Sequence, residues 1–186
     1  MFEQKDKEPI LSEYMQNLVN RSTGEKIDSN MDEILRFKYK IMKMLVQNED
    51  LINTLHMDGK SGDELRDVCI FDYMRLPDLK GEIKNYICFE VNDYGSASSS
   101  FVSKQITFRT VSHVSDIKTD WGVSRQDLLA TIIKTSFDWS NALGLSLIKT
   151  QDVANLADGD YYYREIVYDV QSPNNIYDKV NGFKRH

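Results

Sequence analysis

At 186 residues, 41% hydrophobic and 28% charged, the chain has the size and composition of one soluble domain with a proper core, and it is short for two. A net charge of -6 lacks the basic footprint of a general nucleic-acid binder. No apolar run is long enough for a transmembrane helix, and the charged start MFEQKDKEPI is unlike a signal peptide.

Residues 1–30 read as an arm and linker. Ile10, Leu11, Tyr14, Met15, Leu18 and Val19 set a short amphipathic rhythm that Ser12 could cap, and the polar run NRSTGEKIDSN follows. Such an arm either docks its apolar face on its own domain or a neighbouring subunit, or frays as a terminus. The main domain, 31–171, opens at Asn30-Met31-Asp32-Glu33, a capping box with Asn in the usual place of Ser or Thr. Ile34, Phe37, Ile41 and Met44 or Leu45 then recur at helical spacing, predicting a helix that ends near Gln47-Asn48. A short second helix, Glu49 to His56, turns Leu51, Ile52 and Leu55 inward.

The loop MDGKSGDE leads to an apolar piece, Val68 to Tyr73, and to RLPDLKGEIKN, where Pro77 forbids a central-strand hydrogen bond. Tyr86 to Val91, YICFEV, is a strand by its aromatic and β-branched content. The Gly- and Ser-rich stretch 92–104 reads as a flexible loop. KQITFRTVSHV alternates next, with Ile106, Phe108 and Thr110 on one face and Thr107, Arg109 and Val111 on the other. After the connection SDIKTDWG, Ser124 and Asp127 mark a helix start, the serine oxygen accepting from a free backbone N–H. Leu128, Leu129, Ile132, Ile133 and Phe137 form its apolar stripe, and Asn141 and Gly144 stop it. A hairpin closes the domain: LSLIKTQDVA, a turn at Asp158-Gly159, then a long strand with Tyr162, Arg164, Ile166, Tyr168 and Val170 on one side. The tail, 172–186, is polar and irregular. The order helix-strand-strand-helix-strand-strand implies an α+β fold: a mostly antiparallel sheet with helices packed on one face, plus the N-terminal arm.

Chemical motifs are sparse. Cys69 and Cys88 lie in the apolar runs DVCIF and YICFE and read as core residues of a reducing compartment. His113, Asp116 and Ser124 could be cast as a triad, but no nucleophile elbow surrounds Ser124, which the helix start explains. Neither a metal-ligand spacing nor a phosphate-cradling glycine loop is present, so no cofactor or metal is expected. The row Tyr161, Tyr162, Tyr163 puts rings on both strand faces: one side is core, the other either buried or an interface, and Trp121 raises the same question.

The strand carrying Ile106, Phe108 and Val111, followed by SHVSDIKTDWGVSRQDLLATIIKTSFDWS and a closing hairpin, resembles the tail terminator and head–tail connector (neck) proteins of tailed bacteriophages. Arg125, Asp127 and Leu129 match that family's Arg-x-Asp-x-Leu helix start, and the likeness covers about residues 31–171. The resemblance implies a structural virion protein without enzymatic activity, made in the host bacterial cytoplasm. Its expected assembly is a ring, commonly hexameric, between head and tail. Partners would be further copies, neighbouring neck and tail proteins, and DNA passing through the channel without sequence-specific binding. No membrane is involved. Subunit or channel contacts are expected at Asp93, Tyr94, Phe101, Asp116, Lys118, Asp120, Trp121, Tyr161 and Tyr163. The alternative is a small hydrolase-like enzyme using the His113 and Asp116 region.

Overall fold

The computed structural model describes residues 33–57, 59–75, 84–96, 101–138, 143, 146–157 and 159–173. The expected arm with Asn30 of its capping box, Pro77, the helix stop at Asn141 and Gly144, and the tail beyond 173 lie outside these residues.

Helix α1, Glu33–Val46, buries Phe37, Ile41, Met42, Leu45 and Val46, the stripe its periodicity demands. Asn48 then begins α2, Glu49–Thr54, its side-chain oxygen accepting from the Leu51 N–H at 3.0 Å. Leu51 and Leu55 are buried and Ile52 packs beside them. His56 adopts a left-handed backbone (φ 57) that ends the helix.

Five strands make one sheet in the order β1-β2-β3-β5-β4: β1 Ile70–Phe71, β2 Asn85–Ser96, β3 Phe101–His113, β4 Leu147–Leu156 and β5 Tyr161–Pro173. Only β1 pairs parallel, with β2; the other ladders are antiparallel. Helix α3, Arg125–Phe137, packs on β3 and β5, α1 on β1 and β2, and α2 bridges the two longer helices. The helices therefore cover one face, as the element order implies. An α+β sandwich results.

The faces follow the alternation read from the sequence. Ile106 and Phe108 point to the helices, where the Phe108 ring centroid lies 4.9 Å from that of Phe137, 6.0 Å from Phe89 and 6.1 Å from Tyr168. On the opposite side, Tyr86 and Cys88 pair across to Val111 and Arg109, and all but Arg109 are fully buried. Both cysteines are buried and free. Burial pushes the Cys69 thiol up to about 11, so it remains protonated and inert at neutral pH.

Two readings are corrected. Residues 92–104 are not one flexible loop: β2 runs on to Ser96 and β3 begins at Phe101, with Asn92 opposite Gln105 and Asp93 opposite Lys104. Glycine and serine lower strand propensity, but the end of β2 pairs with β3 across a register shift between Asp93 and Ser96, and β3 is held on its other side by β5. The buried face of α3 is also rotated toward its start. Arg125, Gln126, Leu129, Ala130, Ile133 and Phe137 face inward, while Leu128 and Ile132 are half-buried.

Phe108 sits where sheet and helix layers meet, and its truncation removes contacts to three rings. A Phe108→Ala variant is expected to lose about 3–5 kcal/mol of stability, read by urea unfolding.

Candidate assembly site at the strand–helix corner

Strand β3 ends at His113, whose Nδ1 accepts from the Ser115 N–H at 3.1 Å and starts a 3-10 turn, Val114–Asp116. The chain then folds back on itself before α3. Lys118 bridges to Ser124, the Thr119 N–H donates to the Val123 carbonyl at 3.1 Å, and the Thr119 hydroxyl donates to the same carbonyl at 2.8 Å. The Gly122 N–H donates to the Thr119 carbonyl at 3.0 Å. Gly122 has φ +77 with open space where a Cβ would be, so the glycine answers to backbone conformation rather than to crowding. At the tip of this braced loop Trp121 is 73% exposed.

The loop is anchored at Asp116 and Arg125. The Arg125 Nη2 donates to Asp116 Oδ1 at 3.0 Å, Nε to the Asp116 carbonyl at 2.8 Å, and Nη1 to the Thr54 carbonyl at the end of α2 at 2.8 Å. The second Asp116 oxygen accepts from Asn85 Nδ2 at 2.5 Å, and His56 Nδ1 lies 3.3 Å from both oxygens. Burial works against the ionised carboxyl. The Asn85 bond, the Arg125 charge and the His56 contact outweigh it and hold Asp116 below its ordinary pKa.

A catalytic triad is not assembled here. His113 Nδ1 is occupied by Ser115, Asp116 by Arg125, Asn85 and His56, and Ser124 by Asp127. Ser124 stands at the helix start but differs from the expected cap: its hydroxyl bonds no helix N–H and instead donates to the Asp127 carboxylate. The other Asp127 oxygen accepts from Arg164 Nη1 at 2.8 Å, and Arg164 Nε reaches Asp152 at 2.6 Å. This ties α3 to β5 and β4. Among the described residues no group of His, Cys, Asp and Glu is placed to hold a metal ion, and no helix is long and apolar enough to cross a membrane.

The remaining expected contact residues fall in different places. Lys118 and Asp120 are exposed on the braced loop. Tyr94 is 64% exposed near the far end of β2, its hydroxyl donating to Gln105 Oε1 at 3.0 Å. Asp93 lies 3.7 Å from Lys104 Nζ, which also meets Glu33 at 2.8 Å. Phe101 begins β3, and its side chain lies outside the described residues. Tyr163 is half-buried under the Arg109 guanidinium, 4.6 Å from its ring centroid. Tyr161 is 4% exposed and packs edge-on to His113 with ring centroids 4.9 Å apart. Its ring belongs to the core of this chain, and Tyr162 is the exposed member of the row.

Sequence reasoning missed the clustering at this end. The Val114 N–H donates to the Asp160 carbonyl at 2.7 Å, and Leu156 stands opposite Tyr162. Val114, Leu156 and Tyr162 are therefore exposed at the end of the sheet from which the braced loop, with Trp121 and Val123, departs. Asn85 and His56 were also missed, because no local spacing connects them to Asp116.

A family model described as YomW matches residues 38–170. No curated protein matches the sequence. Among solved structures the chain is similar to one from "Virion of native gene transfer agent (GTA) particle", at 10% identity and a TM-score of 0.41. That likeness covers 66% of this chain and 91% of the other.

Replacing Arg125 by Met strands the Asp116 carboxylate and the Thr54 carbonyl, and is expected to cost about 2–3 kcal/mol in chemical unfolding at pH 7. Because the folded state lowers the Asp116 pKa, its contribution is full above the unfolded value near 4 and is lost as pH falls through the lower folded value. Unfolding curves between about pH 2 and 6 should thus show the gap between the protein and an Asp116→Asn variant narrowing toward the acid end.

Proposed function

We propose that this chain, which belongs to the YomW family, is a structural protein of a phage virion that assembles with copies of itself into a ring at the head–tail junction. The family is phage-related. The residues that carry the resemblance to neck proteins also hold defined structural roles: Arg125 locks the corner, Asp127 ties α3 to β5, and Leu129 is fully buried beneath it. The single observation that carries the reading is Trp121. A tryptophan held out on a loop braced by its own hydrogen bonds loses little freedom on binding, which is what an interface anchor requires.

In this reading the corner, with Trp121, Lys118 and Asp120, meets a different surface of the next subunit. Such unlike contacts close into a ring when the rotation between subunits divides a full turn. Six subunits is the number the resemblance suggests. Asp93, Tyr94, Phe101 and Tyr163 belong to surfaces facing other copies, neighbouring neck and tail proteins, or the channel. The net charge of -6 suits a wall past which DNA slides without being gripped. The role needs neither cofactor nor catalysis, and it places the protein in the virion after synthesis in the host cytoplasm.

Light scattering across a concentration series should give a closed oligomer, seen as rings by electron microscopy. A Trp121→Ser variant is expected to weaken assembly at least about 10-fold while leaving thermal unfolding of the subunit unchanged. A protein that remains monomeric at all concentrations and in the presence of tail tubes, or a Trp121→Ser variant that assembles normally, counts against the proposal.

A further inference from the structure

Three buried polar atoms near the corner have no hydrogen-bond partner among the described residues: Asn85 Oδ1, Ser112 Oγ and Gln126 Oε1. Their residues are 3%, 0% and 6% exposed. Buried polar atoms in native proteins are satisfied almost without exception, by protein or by ordered water. Three exceptions together call for a partner.

Topology brings the three residues to the same end of β3. Asn85 and Ser112 are direct partners across the β2–β3 ladder. Ser112 alternates with Phe108 and Thr110 on the face toward α3, and the Thr110 hydroxyl donates to the Gln126 backbone carbonyl at 2.8 Å. Gln126 is thus held over the same end of β3. The Asn85 NH₂ is committed to Asp116 at 2.5 Å and to the Leu55 carbonyl at 3.4 Å, leaving its oxygen for the remaining side.

The chemistry then selects the occupant. Two of the atoms are amide oxygens, which only accept, and the third group brings a single O–H. Pairing among the three satisfies at most one amide oxygen. A molecule that donates twice and accepts once satisfies all of them. We infer that a buried water occupies this point, donating to Asn85 Oδ1 and Gln126 Oε1 and accepting from the Ser112 hydroxyl. With three polar partners it joins β2, β3 and α3, and it completes the polar joint next to the Asp116–Arg125 pair. The inference is independent of the ring reading.

A crystal structure of the full chain at about 1.5 Å tests it, with a density peak expected at hydrogen-bonding distance, about 2.6–3.2 Å, from all three atoms. In solution, the same water should give magnetisation transfer to nearby amide protons with the sign of a long-lived site. Ser112→Ala and Gln126→Met, made singly and together, should shift the melting temperature non-additively, because both act through one shared molecule. An empty site, a direct Ser112–Gln126 bond in place of the peak, or additive melting shifts would overturn the assignment.

Discussion

Much of this structure depends on the need to satisfy the end of a short helix. Helix α2 terminates inside the molecule, and the last carbonyls of any helix lack intrahelical donors. Here Arg125 serves the Thr54 carbonyl and Asn85 reaches the Leu55 carbonyl. Both donors come from other elements, the start of α3 and the start of β2, and both also bond Asp116. One carboxylate therefore fixes where a helix ends, where a second helix begins and where a strand enters the sheet. Removing it would leave a nearly buried guanidinium without its counter-charge and without one of its three hydrogen bonds, which costs more than an exposed ion pair is worth.

On the sheet face away from the helices, polar side chains pair across neighbouring strands. Arg109 donates to Glu165 at 2.6 Å and stacks on Tyr163, Gln151 donates to Glu165 at 3.2 Å, and Gln105 donates to Asp169 at 3.0 Å. These bonds run across β3, β5 and β4, so cross-strand pairing does on this face what apolar packing does on the other. Arginine suits the position because its planar fork bonds a carboxylate and lies on a ring at once. These polar bonds hold the middle and one end of that face, where the described side chains are spent on one another. Among the described residues, the loop and the end of the sheet carry exposed apolar side chains at Val114, Trp121, Val123, Leu156 and Tyr162.

What was legible in the sequence is what local periodicity encodes. Ile106, Phe108 and Thr110 against Thr107, Arg109 and Val111 gave the two faces of β3 correctly, because a strand alternates whatever surrounds it. The stripes of α1 and α2 were equally plain. Features set by register were not legible. Alternation separates Tyr161 from Tyr162, but only the pairing of His113 with Tyr161 decides which ring is covered. Likewise, Asn85 and Asp116 meet because two strands and a 3-10 turn bring them together, and nothing in either neighbourhood advertises it. The Gly- and Ser-rich stretch misled for a related reason: composition reports propensity, while pairing with β3, itself held by β5, overrides it.

The corner also explains why a resemblance can reside in so few residues. A helix start of the form Arg-x-Asp-x-Leu looks interchangeable with any capped helix. Here its Arg holds a neighbouring helix, its Asp holds a strand, and its Leu fills the core between them. Arg125 and Leu129, four residues apart, share the inward face of α3, while Asp127 between them turns aside to meet Arg164, so each reaches a different layer. A substitution at any one leaves buried or half-buried polar groups, or a cavity, at the junction of those layers. The loop between strand and helix escapes that constraint except at its own bracing hydrogen bonds. Its tip can therefore carry an exposed side chain without disturbing the fold, and in this chain that side chain is Trp121.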